Sequence, residues 1–282
     1  MAVENKIKRK GLAERIKEAA TDSLIGQGGQ KNNISKKIVV PRIINPPLAN
    51  GFIKDTNISK AYKYIEVHRM RENIVSLLKE KNGKTIVVTA PKDNVGNTFL
   101  TCTIGVNITF FTNMNVLLVD ANLRKPEIHK HFGFDIKNGL SEIICDAVDP
   151  LSVIKNTVHP RLNIITAGKP RDDISRFLNR SIIEYLVSTV REKYDVVMFD
   201  TSPVLVNNRN NIDPSILSYL CDITMVVVLD RKTRKPDLGK TVSIIQQAGG
   251  QVDGILYNHF LPEEEIKKNL LGKLISRILS KN

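Results

Sequence analysis

The stretch Thr85-Ile-Val-Val-Thr-Ala-Pro-Lys-Asp-Asn-Val-Gly-Asn-Thr98 decides the fold. Its first six residues, TIVVTA (85–90), are a short β-branched run ended by a proline, which predicts a strand buried on both faces. Residues 91–98 have loop composition, and an apolar helical stretch follows from Phe99 to Phe111. A strand, a glycine-bearing loop and a helix in that order can cradle phosphate, because backbone N–H groups and the helix N-terminus point at the anion. In the pattern GxxxxGK[ST] the lysine bridges the outer phosphates and the hydroxyl serves Mg2+. Here Gly96 and Thr98 fall on the last glycine and the hydroxyl position, whereas Pro91 replaces the first glycine and Asn97 replaces the lysine.

The missing lysine has a magnitude. A hydrogen bond to a charged group contributes roughly 1.5–3 kcal/mol, about 10- to 150-fold in affinity. Asp93 adds a carboxylate to the cradle, which repels an anionic ligand. Lys92 either compensates from the start of the loop or is a solvated loop lysine.

Further along the chain, VLLVD (116–120), LNIITA (162–167), VVMFD (196–200), TMVVVLD (224–230) and VDGILYN (252–258) alternate with longer helical stretches. These runs predict a doubly wound, mostly parallel α/β sheet flanked by helices, with ligands beyond the carboxyl ends of the strands. Asp120 and Asp200 each close such a run. Asp200 reads either as a functional acid beside the phosphate loop or as the cap of a strand-to-helix turn.

The segment SKAYKYIEVHRMRENIVSLLKEK (59–81) predicts a helix, with Tyr64, Ile65, His68, Met70, Ile74, Leu77 and Leu78 at its apolar positions. The chain divides into a basic N-terminal arm and linker (1–60), the α/β domain (61–262) and a C-terminal basic amphipathic helix (263–282). Residues 23–59 carry no sustained period and read as linker. In EEEIKKNLLGKLISRILSKN (263–282), Ile266, Leu270, Leu271, Leu274, Ile278 and Leu279 form an apolar stripe beside Lys and Arg. Such a helix lies on an anionic membrane, docks in a partner or folds back on its own domain.

The net charge is +13, and residues 1–60 hold twelve Lys/Arg against five Asp/Glu. Basicity is therefore concentrated in the flanks, which suits nucleic acid, an anionic membrane surface or an acidic protein partner, and charge alone does not choose among them. Aromatics make up 5% and Trp is absent, which argues against stacking platforms for single-stranded nucleic acid. Three widely spaced cysteines argue against a disulfide framework or structural zinc site and suit a reducing cytosol. No run approaches the roughly 18 apolar residues of a membrane span, and the charged N-terminus lacks the apolar block of a secretory signal. His129 and His131 flank Lys130 with no third metal ligand in view.

Four blocks in order carry a family resemblance. They are IEVHRMRENI (65–74), VLLVDANLRKPEIHKHFGF (116–134), YDVVMFDTSPVL (194–205) and GILYNHF (254–260). From about Tyr62 to Phe260 the chain resembles the bacterial tyrosine kinases (BY-kinases) of capsule and exopolysaccharide export, within the MinD/ParA-like P-loop ATPases. The resemblance implies ATP and Mg2+. It assigns Asp120 and Asp200 to catalysis, and Thr98, Asp120 and Asp200 to the metal. Lys92, Asn94, Val95, Gly96, Asn97, Thr98 and Asn258 would line the nucleotide. Glu66, Arg69 and Arg71 (imperfectly spaced) and Arg124 would make subunit contacts, although Arg124 also reads as a surface arginine.

The departures from the family pattern are specific. Asn97 stands for the loop lysine, Asn122 for the second aspartate, and no tyrosine follows Tyr257 in these 282 residues, where the resemblance leads one to expect a tyrosine-rich acceptor tail. An amide neither accepts a proton nor offers Mg2+ a full charge. The expectation is a degenerate kinase, or pseudokinase, of exopolysaccharide or capsule biosynthesis that holds ATP and Mg2+ weakly or not at all. It would be cytoplasmic, peripheral to the inner membrane, and a regulator or scaffold for a membrane polysaccharide co-polymerase. It would act as a homo-oligomer or with an active paralogue, with 263–282 available to the membrane surface and no role for nucleic acid. Two alternatives stay open: an active tyrosine kinase using Lys92, and a MinD/ParA-like partition or positioning ATPase.

Overall fold

A computed structural model of the chain describes residues 38–39, 53, 55–206 and 209–258. Among these, β1 (Ile38–Val39), β2 (Thr85–Thr89), β3 (Val116–Asp120), β4 (Lys155–Asn156), β5 (Leu162–Ile165), β6 (Val196–Asp200), β7 (Ile223–Leu229) and β8 (Gly254–Asn258) form one sheet. The order is β1-β8-β7-β2-β6-β3-β5-β4, and every neighbour is parallel except β4 against β5. The helices are α1 (Thr56–Ala61), α2 (Ile65–Glu80), α3 (Asn97–Phe111), α4 (Ile128–Phe132), α5 (Leu140–Asp146), α6 (Arg180–Lys193), α7 (Pro214–Leu220) and α8 (Lys235–Gln247).

The apolar strand runs are explained by burial on both faces. Alternate side chains point to opposite sides of a strand. Ile86, Val88, Leu118 and Met198 pack on the side of α2 and α3, while Val87, Leu117, Val197 and Phe199 pack on the side of α5 and α6. Helix α3 is enclosed on all sides from Leu100 to Thr109. Its Gly105 lets the helix close on β3, since a Cβ there would meet Leu118 Cδ2 at 2.6 Å. Helix α6 has the ordinary one-sided pattern, burying Ile183, Leu186, Val187 and Val190.

The doubly wound, mostly parallel sheet expected from the sequence is present, with differences in detail. Residues 23–59 contain β1, which pairs in parallel with Ile255–Leu256, and most of α1. The 60/61 boundary therefore falls inside a helix, one fixed by burial of Ile58 and Ala61 and capped by Asp55, whose carboxylate accepts from Asn57 N. In α2 the buried stripe is Val67, Met70, Ile74 and Leu78, whereas Ile65, expected inside, is 58% exposed. Ile65 opens the helix off that stripe. The helix expected over 263–282, with its membrane, partner and self-docking alternatives, lies outside the described residues, as does most of the 1–60 arm. Among the described residues no helix is long and apolar enough to cross a membrane.

Candidate functional site: the loop after β2

The strand order brings three chain segments together. β6 lies between β2 and β3, with Val88 and Asp120 both in register with Asp200. The loop after β2 and the aspartates closing β3 and β6 therefore meet at the carboxyl edge of the sheet, where ligands of doubly wound folds bind.

The loop turns through two left-handed residues, Asn94 (φ 58°) and Gly96 (φ 88°). Asparagine tolerates that region better than most side chains, so Asn94 serves where a glycine is the usual solution. Gly96 is required for a second reason. Its missing Cβ leaves room for Asn258, which reaches in from the end of β8 and donates Nδ2 to Val95 O at 2.8 Å. Gly96 is also the N-cap of α3 and has no side chain to occupy the first N–H groups of that helix. These amides give the cradle its partial positive charge.

Asn97 does not reach out to the ligand side. Its Nδ2 donates beneath the loop to Val88 O (3.0 Å), Thr201 O (3.0 Å) and Asp200 Oδ1 (2.6 Å). Those three oxygens face only two amide hydrogens, and the Asn97 Oδ1 is buried without a partner. Thr98 donates its hydroxyl to the other carboxylate oxygen of Asp200 at 2.6 Å. Asp120 Oδ2 accepts from Glu127 N and Ile128 N at 3.1 and 3.0 Å, while Asp120 Oδ1 is buried and unpartnered.

Burial pushes both carboxyls up in pKa. Asp120 rises well above the usual range, first by desolvation and then by the charge of Asp200. Asp200 rises to about 7, again by desolvation, against the opposing hydrogen bonds from Thr98 and Asn97. Two fully buried acids on adjacent strands, one with an orphan oxygen, fit a divalent cation that would relieve both. Thr98, Asp120 and Asp200 would hold Mg2+, the set expected from the resemblance. Among the described residues no cluster of three or more His, Cys, Asp or Glu forms a further metal position.

The charges around the loop are placed as follows. Lys92 points outward and pairs with Asp237 of α8 at 2.7 Å. Asp93, read from the sequence as a bare repulsive carboxylate, is paired with Arg124 and lies 3.9 Å from Lys125 Nζ. Arg124 thus closes on its own chain's phosphate loop. Asn122 accepts from Lys125 N at 3.2 Å and shapes the turn that carries Arg124. Sequence reasoning missed Lys232, whose Nζ donates to Asn94 O at 3.0 Å from the turn after β7. The only signal was the basic run Arg231-Lys-Thr-Arg-Lys235, outside the flanks to which basicity had been assigned.

The structure does not bring Glu66, Arg69 and Arg71 to this site. Arg71 bonds Asn107 Oδ1 (3.1 Å) and His68 Nδ1 (3.0 Å) and stacks over Phe111, toward the far end of α3. Glu66 is half-buried and Arg69 exposed on the same helix. His131 Nδ1 lies 2.7 Å from Asp55 Oδ2, tying α4 to the start of α1.

No family model matches the chain. It is 30% identical over 189 residues to the tyrosine-protein kinase ptk of Acinetobacter johnsonii, a match covering 67% of this chain and 25% of ptk. The chain thus spans about a quarter of the length of that curated relative. In fold it is similar to the kinase domain of the Escherichia coli tyrosine kinase ETK, with TM-score 0.63 and 22% identity over 71% of this chain and 75% of that one. It is also similar to the cell division ATPase MinD of Pyrococcus furiosus, with TM-score 0.54 and 16% identity over 63% of this chain and 73% of that one.

Proposed function

We propose that this chain, a homologue of the bacterial tyrosine-protein kinases, is a degenerate member that grips nucleotide weakly and regulates or scaffolds exopolysaccharide or capsule assembly instead of phosphorylating tyrosine. The observation that carries the reading is Asn97: its amide is spent on Val88, Thr201 and Asp200, so position 97 offers neither a cation nor a free donor to the outer phosphates. Lys92 is committed to Asp237, which speaks against its taking over that role.

What remains supports binding more than turnover. The amide-lined loop, the Thr98 hydroxyl and the two buried carboxylates are what Mg2+ and a phosphate chain need, and bound Mg2+ would supply the positive charge that joins them. Asn122, an amide, stands where the resembling family has its second aspartate, and an amide cannot take a proton from an attacking hydroxyl. The partner in this reading is the cytoplasmic end of an inner-membrane polysaccharide co-polymerase, met at the membrane periphery. The chain acts there as a homo-oligomer or beside an active paralogue.

The test is calorimetric titration with Mg-ATP alongside a phosphotyrosine assay. The unmodified chain should bind about 10- to 150-fold more weakly than Asn97→Lys, the worth of the restored charge, and form no phosphotyrosine. Submicromolar Mg-ATP binding by the unmodified chain, or ATP-dependent phosphotyrosine, would remove the degenerate reading.

A further inference from the structure

We propose that Lys232, from the turn after β7, supplies the cation that is missing at position 97 and contacts the phosphates of a bound nucleotide. The inference rests on the nucleotide-site reading above and names the side chain that does the gripping.

The other nearby cations are committed. Arg124 is paired with Asp93, Lys125 lies within ion-pair distance of the same carboxylate, and Lys92 is paired with Asp237. Each would have to leave a carboxylate to meet a phosphate. Lys232 is different: its ammonium sits on a neutral carbonyl, Asn94 O, and among the described residues no carboxylate lies within ion-pair distance of it. An ammonium has three hydrogens, so one can stay on the loop while others turn to a phosphate oxygen.

Lys232 is also held in position. β7 is the sheet neighbour of β2, so the turn after β7 lies beside the loop after β2. Within that turn, Asp230 N donates to Asn258 O at 2.9 Å and Tyr257 Oη donates to Asp230 Oδ1 at 2.6 Å. Leu229 N donates to Thr233 Oγ1 at 2.9 Å, and Leu229 O accepts from both Lys232 N and Thr233 N. Arg231 adopts the left-handed φ of 61°, a conformation that a long side chain keeps only where its surroundings impose it. Asn258 completes the connection through its bond to Val95 O. The turn, the end of β8 and the phosphate loop are therefore one hydrogen-bonded unit that carries a positive charge to the loop from outside its sequence.

The experiment is isothermal titration of the full chain with Mg-ATP and with inorganic tripolyphosphate, comparing unmodified protein with Lys232→Met, Lys232→Arg and Lys193→Met, the last removing a charge from the far end of α6. Lys232→Met should weaken both ligands about tenfold or more, Lys232→Arg should retain most of the affinity, and Lys193→Met should match the unmodified chain. Unchanged affinity in Lys232→Met overturns the assignment while leaving the nucleotide site standing. An equal loss in the Met and Arg variants overturns it as well, because the effect is then structural and not one of charge. If the unmodified chain takes up neither ligand, the nucleotide reading itself falls and Lys232 with it.

Discussion

Replacing Gly96 with alanine puts a methyl group where Asn258 already is. A Cβ at Gly96 would lie under 3.0 Å from Asn258 Nδ2, closer than real Cβ atoms approach. The backbone there is left-handed at φ 88°, which costs an L-residue roughly 1–2 kcal/mol. Relief comes from swinging Asn258 aside, which breaks its 2.8 Å bond to Val95 O. Val95 is 3% exposed, so its carbonyl finds no ready substitute, at a further cost of about 1 kcal/mol. Gly96→Ala should therefore destabilise by about 2–3 kcal/mol in urea unfolding, or roughly 5–10 °C in melting temperature. Asn258→Ala loses the same hydrogen bond by another route. In the double variant the bond can be lost only once and the methyl has room, leaving the backbone strain. The double variant should thus be less destabilised than the sum of the singles by about 1 kcal/mol. Strict additivity would refute the claim that Gly96 and Asn258 are fitted to one another.

The buried acid pair gives a pH signature. The folded-state pKa values of Asp200 (about 7) and Asp120 lie above the free carboxyl value of 3.8, so the folded chain holds protons that the unfolded chain releases. This contribution to stability is complete below about pH 4 and is lost as pH rises through about 7. Thermal melts in EDTA from pH 5 to 8 should show that decline, and Asp200→Asn should flatten it. A second consequence concerns Asp93. Asp93→Asn removes a carboxylate from the loop and frees Arg124, so calorimetric affinity for Mg-ATP should rise several-fold; a fall would mean that the ion pair shapes the cradle more than it opposes the ligand.

The central sheet was legible because burial on both faces writes itself as unbroken Val, Ile and Leu. The runs 116–120 and 196–200 match β3 and β6 residue for residue, and 85–90 overshoots β2 by one. β1 and β4 were not legible: each has two residues and no room for a period, and β1 is defined by pairing with Ile255 and Leu256 at the other end of the chain. The site divides in the same way. Gly96, Thr98, Asp120 and Asp200 could be singled out as candidates because each stands at the end of a readable strand or inside a spaced motif. The commitments of the loop's charges were not, because Lys92 meets Asp237 across 145 residues and Lys232 meets Asn94 across 138. Only folding sets those distances, and they turned a charged loop residue into a strut and a surface lysine into the candidate contact.

The enclosure of α3 has a mechanical corollary. A helix gripped by a sheet on one flank and α2 on the other, with Gly105 seated against Leu118, cannot travel like a piston when its amino end receives a guest. On the nucleotide-site reading proposed above, the parts of the cup that reach the surface are the Arg124 turn and the turn behind β7.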